Sequence, residues 1–179
     1  MIEGKNIILR LFREGDLEEY YQMTSRLSII GEYWGLKLAT MVQLKQEFAK
    51  DGFWGESYGR ILITDKDDKL LGNINYFRGI PYVDGYELGF RIFDPEDRGK
   101  GIMSEAVKLF VDYLFALKPI NRLQICFLPE NMGSKKIAEK CGFTYDGTMR
   151  GCAYEGGKYH DIEMYSLLRN EHKPTNNLY

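Results

Sequence analysis

Four residues near the middle of the chain, Arg98-Gly99-Lys100-Gly101, place two glycines among two cations just before Ile102-Met103-Ser104. They follow a strand-like segment and open a helix-like one. Glycine lets the backbone turn sharply and lets a ligand approach it closely. The first amides of a helix have no intrahelical partner and point outward. Together with the helix dipole they suit a phosphate, and Arg98 and Lys100 add positive charge. A Walker loop does not fit, because Lys100 is followed by Gly101 and Asp94 stands where the first glycine belongs. A dinucleotide fingerprint starting at Gly99 would need a third glycine where Ser104 stands. The plain alternative is a glycine turn before a buried helix.

A third phosphate pattern reads Arg or Gln, two residues, Gly, one residue, then Gly or Ala. Arg98-x-x-Gly101-x-Met103 matches it except at Met103. Downstream come Asn131-x-x-Ser134 and Lys140-Cys141-Gly142-Phe143, bracketing a short helix. Gly147-x-x-Arg150, Gly157-x-Tyr159-x-Asp161 and Tyr165-Ser166-Leu167-Leu168 follow, and Ile8-Leu9-Arg10 with Asp16 stands upstream. In this order and spacing the motifs resemble the GNAT acetyltransferases, and among them the ribosomal-protein N-terminal (Rim-type) branch. The resemblance runs from residue 5 to 171.

The resemblance implies an N-acetyltransferase that moves acetyl from acetyl-CoA to a primary amine by direct attack in a ternary complex. The branch suggests a protein N-terminal α-amine. A polyamine, amino sugar or antibiotic amine and a non-catalytic CoA-binding sensor are the alternatives. It further implies that the pantetheine amides pair with the strand edge near Phe90, Ile92 and Phe93. The pyrophosphate would lie on Arg98, Gly99, Lys100, Gly101, Ile102, Met103 and Ser104. Asn131 would touch the pantetheine arm, and Lys136 (with Lys135) the adenosine phosphates. Met103 is expected to narrow the cradle slightly. Two solvated lysines on a helix face are the plain reading of Lys135 and Lys136. Glu87 is the candidate base; its structural alternative is pairing with Arg91, two strand positions of the same face further on. Ser134 is a candidate proton donor to the leaving thiolate, with Tyr145 and Tyr154 behind it. Tyr33 and Trp34 are candidates to line the acceptor site. His160 and Asp161 are adjacent in a strand, face opposite ways and cannot form a dyad. A homodimer is among the assemblies that relatives adopt.

These residues need elements to position them. Asn6–Leu11 reads as a strand, and Asp16 as the N-cap of a helix through Leu17, Tyr20 and Met23. Thr40 opens a second helix. Tyr58–Thr64 and Leu70–Phe77 are strands around a polar tip, and Gly85–Phe93 alternates as a third. Ile102–Leu117 is an almost wholly apolar helix whose Ser104, Lys108 and Asp112 form one narrow polar stripe. A strand at Asn121–Leu128, a helix capped by Asn131, and two strands about Gly156-Gly157 complete the chain. The expected fold is α/β (α+β): a single GNAT-like domain over 1–171. Its twisted sheet is mixed, mostly antiparallel and of about seven strands, with four helices. The splay lies between the fourth and fifth strands, residues 85–93 and 121–128. Residues 172–179 read as a flexible tail.

Composition narrows the class. The 179 residues, 44% hydrophobic and 28% charged, suit a globular domain. A formal charge of -2 gives no reason to expect nucleic acid. No apolar run reaches the roughly 20 residues that span a bilayer. Cys126, Cys141 and Cys152 lack metal spacing, so no metal is expected and a reducing cytoplasm is.

Overall fold

A computed structural model describes residues 1–25, 39–79 and 83–175. Eight strands hydrogen-bond in the order β1-β2-β3-β4-β5-β6-β8-β7. They are β1 (Ile2–Glu3), β2 (Ile8–Arg10), β3 (Tyr58–Thr64), β4 (Leu70–Phe77), β5 (Gly85–Ile92), β6 (Arg122–Phe127), β7 (Thr144–Glu155) and β8 (Lys158–Leu168). Among the described residues the α-helices are α1 (Asp16–Thr24), α2 (Met41–Asp51), α3 (Ile102–Leu117) and α4 (Met132–Lys140). The mixed, mostly antiparallel sheet is as expected. Its eighth strand, β1, was not foreseen; two residues carry no readable period, and β1 exists through its pairing with β2. The splayed pair anticipated as fourth and fifth is therefore β5 and β6. The chain falls into two compact units, Met1–Tyr76 with Phe90–Ala106 and Phe77–Gly89 with Val107–Tyr179.

In the first unit α1, α2 and the strands bury one hydrophobic cluster, four aromatic rings among four leucines: Phe12, Leu17, Tyr20, Leu44, Phe53, Leu62, Leu70 and Phe93. Phe12 meets Tyr20 and Phe53 edge-on, both at 5.0 Å between centroids. Such pairs add roughly 0.5–1.5 kcal/mol beyond burial. α2 begins in a capping box: Thr40 accepts from the Gln43 amide and the Gln43 side chain accepts from the Thr40 amide. It ends at Gly52, in the left-handed conformation that stops a helix.

Asp16 does not cap α1 as expected. The cap position is Gly15, and Asp16 is turned to Arg10 instead. Arg10, buried, donates to both Asp16 oxygens (2.7 and 2.8 Å) and to Asp68 (2.6 Å), and the Arg13 amide also donates to Asp16. Burial pushes the Asp16 carboxyl up, but the Arg10 and Arg13 hydrogen bonds and charges outweigh it and leave it below its usual range. The stability this contributes is present above the unfolded carboxyl value near 3.9 and is lost as pH falls through the depressed folded value. Asp16→Asn leaves Arg10 short of a charge partner. It is expected to cost about 3 kcal/mol at pH 7 in urea unfolding and to flatten the loss of stability below pH 4.

In the second unit β6 pairs with β8, and β8 with β7, antiparallel. Gly156 and Gly157 both have positive φ (57° and 84°), the signature of the two-residue turn expected there. Asp112 leaves the polar stripe expected of it. It is buried and accepts from the Thr175 amide and hydroxyl (3.1 and 2.8 Å), with the His172 ring nitrogen 3.0 Å away. The end segment is thus anchored as far as Thr175. Arg169 donates to the carbonyls of Phe115, Lys118 and Ile120, closing the C-terminal end of α3.

Candidate functional site

The cradle segment lies in the first unit. A 3₁₀ turn, Pro95–Asp97, is capped by the Asp94 side chain and hands over to Arg98. Gly99 and Gly101 have φ of +76° and +85°, conformations that side chains disfavour. A Cβ at either would meet nothing within 4 Å, so the protein leaves open space over both. The N-terminal turn of α3 starts immediately after, with its Glu105 amide bonded to the Gly101 carbonyl (3.0 Å). Arg98, Gly99, Lys100 and Gly101 are exposed, while Ile102 and Ser104 are half-buried. The Lys100 ammonium bonds to Asp97 (2.8 Å), which holds its charge beside the turn. Met103 is buried in the core. It therefore does not narrow the cradle, contrary to expectation, because the first turn of α3 directs that side chain inward. Positive-φ glycines, open space, exposed cations and a helix start are a donor set suited to a diphosphate.

β5 carries the next group. Phe90 and Ile92 are half-buried. Phe93 is buried among the aromatics, 5.7 Å from Tyr20, and its amide donates to the Leu71 carbonyl (2.9 Å). The Phe93 amide is thus already committed and cannot also serve an extended ligand. Arg91 stands over the Phe93 ring at 5.4 Å. On β3, Arg60 stands over Tyr20 (5.4 Å) and Phe53 (4.8 Å) and donates to the Tyr58 hydroxyl (2.8 Å). Burial lowers the Arg91 guanidinium; Tyr20 works against that and the like charge of Arg60 adds to it.

Glu87 belongs to the second unit, where β5 and β6 run parallel through Gly85↔Arg122, Tyr86↔Leu123 and Glu87↔Gln124. The register stops there, although β5 continues to Ile92 and β6 to Phe127. Glu87 is half-buried and accepts from the Gln124 amide nitrogen (3.0 Å). The would-be Cβ of Gly79 lies 3.0 Å from the Glu87 Oε2, so glycine there gives the carboxylate room. Burial, and then the charge of Glu87, push the Cys126 thiol up, so it stays protonated beside the carboxylate. Burial also pushes Cys141 up to about 11.

Asn131 caps α4 by accepting the Ser134 amide (3.0 Å), which brings those two predicted residues together. Lys135 reaches Glu163 (3.6 Å), and Lys136 is exposed. Tyr145 bonds to Thr148 (2.7 Å) and Tyr154 is exposed. His160 turns to the Glu155 carbonyl and Asp161 to the Gly151 amide, so they do not act as a pair. Tyr33 and Trp34 lie outside the described residues. The sequence reading missed Gln124 and Arg122. Their signal was the polar–apolar alternation Arg122-Leu123-Gln124-Ile125-Cys126-Phe127, which sets three polar groups on one strand face. Among the described residues no cluster of metal-ligating side chains forms, and no helix is long and apolar enough to cross a membrane.

Residues 6–144 match the family described as the acetyltransferase (GNAT) domain, and the chain belongs to that family. It is an N-acetyltransferase, and acetyl-CoA is the family's cofactor. Over 180 residues the chain is 28% identical to a probable N-acetyltransferase, YjcK, of Bacillus subtilis, covering 94% of this chain and 97% of that one. It is 25% identical to a ribosomal-protein-serine acetyltransferase of Escherichia coli over 62% of each chain. Its fold is similar to that of a spermidine N-acetyltransferase from Vibrio cholerae solved with CoA and spermine. That match has a TM-score of 0.80 and 20% identity, over 94% of this chain and 98% of that one.

Proposed function

We propose that the chain acetylates a protein N-terminal α-amine in the cytoplasm. Acetyl-CoA supplies the thioester carbonyl that the amine attacks. Arg98, Lys100 and the amides from Gly99 to Ser104 would hold its diphosphate, the β5 main chain at Phe90 and Ile92 its pantetheine amides, and Asn131 its inner arm. Glu87 would take the first proton from the acceptor ammonium, directly or through water; the second, released from nitrogen as the tetrahedral adduct collapses, would replace the one that Ser134 gives to the departing sulfur. An α-amine, with pKa near 7.7–8.0, is roughly a tenth neutral at pH 7, so it asks less of its base than a lysine amine would. Positioning contributes most of the remaining acceleration.

The observation that carries the acceptor class is the pair Arg60 and Arg91. Both stand on the Tyr20, Phe53 and Phe93 ring cluster that α1 and α2 cover. On the reading that the acceptor enters beside this cluster, two guanidiniums there disfavour a polycation and tolerate a peptide with one positive end. The second reading, a polyamine acceptor, is favoured by the full-length similarity to the Vibrio spermidine enzyme. Competition between serine-initiated peptides and spermidine, read as CoA release, separates the two. The peptide is expected to have at least a tenfold higher kcat/KM; a preference for spermidine overturns the proposal.

A further inference from the structure

Glu87 does not stand alone on its strand face. Its Oε2 accepts from the Nε2 of Gln124, directly across the parallel register (3.0 Å). The other end of the same amide, Oε1, accepts from the Nε of Arg122, two residues earlier in β6 (3.3 Å). Arg122 is fixed in turn: it donates to the Ser166 hydroxyl on β8 (2.8 Å) and pairs with Asp146 on β7 (2.5 Å). Gln124 is 3% exposed, so water cannot readily replace these partners.

A guanidinium only donates, so it fixes which end of the amide faces it. Arg122 takes the oxygen, and the NH₂ must point at Glu87. An NH₂ supports the ionised, proton-accepting carboxylate and opposes the protonated one. We propose that Gln124 is a positioning residue for the reaction. Held by Arg122, it presents an NH₂ that keeps Glu87 aimed and ready to accept a proton. This rests on Glu87 acting as the base.

The other titratable and charged groups on this face are Arg91, two face positions further along β5, Arg122 and Cys126 on β6 and Asp146 on β7, with Cys152 acting on Cys126. Cys126 remains a neutral thiol, 3.8 Å from the Gln124 nitrogen, and contributes no competing charge. Ser166 and Met164, which contact Arg122 from β8, are neutral.

The test is kcat/KM against pH, from 5.5 to 9.5, with a serine-initiated peptide, or with spermidine should that be the amine turned over. The acceptor's own ionisation is common to all variants and cancels in the comparison. Gln124→Met keeps the volume and removes the donor, so the acid limb should move up by about one pH unit. Gln124→Glu puts a second carboxylate beside the first and should move the limb further, because two such groups compete for one proton. Stabilisation by CoA should be unchanged in both, which separates repositioning from misfolding. Acid limbs that stay at the wild-type position in both variants, while Glu87→Gln alters the profile, overturn the role of Gln124 alone. An unaltered profile in Glu87→Gln overturns the base and this inference together.

Discussion

Glu87→Gln is expected to lower kcat/KM by about 10²–10³ near neutral pH, within the range ascribed to a positioned general base. The amide keeps the size of the side chain and its contact with Gln124, so the fold and CoA binding should survive. The loss should be largest at low pH. Below about 7.7 the α-amine is mainly ammonium and needs its proton removed; above that value neutral amine accumulates and the base matters less. The ratio of wild-type to variant rate should therefore shrink as pH rises from 6 to 9. A ratio constant across that span, or a loss under threefold, would remove Glu87 from the chemistry. It would leave that side chain a partner for Gln124 only.

Gly101→Val is expected to weaken CoA binding at least tenfold, read as loss of the thermal shift that the bound nucleotide produces. The φ of +85° is strained for any side chain and more so for a branched one, at roughly 1–2 kcal/mol. That part of the effect is stability alone. The larger part comes from the open space over Gly101, which valine would fill where a diphosphate must come close to the backbone. Gly156→Val separates the two contributions. Its φ of +57° imposes similar strain in the β7–β8 turn, which is not part of the cradle segment. It should lower the melting temperature and leave the CoA shift intact. Equal CoA shifts in both variants would return Arg98–Ser104 to a plain turn before a helix.

Local chemistry was readable wherever a few neighbouring residues settle it. The bounds Ile102–Leu117 and Lys158–Leu168, the Thr40 and Asn131 caps and the paired glycines at 156 and 157 all follow from period, cap or turn. Expectations failed where a distant partner overrode a local preference. Asp16 has the chemistry of a cap, but Arg10, buried six residues earlier, holds its carboxylate. Asp112 sits at the spacing of a solvent stripe and is buried because Thr175, 63 residues later, comes to it. The site divides the same way. The glycine cradle announces itself in sequence, whereas Gln124 becomes a partner of Glu87 only when β5 and β6 run in parallel register. Met103 looked like an obstruction in a linear pattern, and the helix start turns it inward.

Arg169 gives the fold an order of events. It provides three donors to carbonyls at the end of α3, yet it lies 49 to 54 residues beyond those of Ile120 and Phe115. During synthesis the crossover helix leaves the ribosome long before the residue that seals it. Until β8 arrives those carbonyls must be satisfied by water, and the helix end can fray. A chain arrested before Arg169 should therefore be far more open to proteases near Phe115 than the finished protein. The last strand is thus a late fastening of the middle of the chain, and truncation there would be felt at α3.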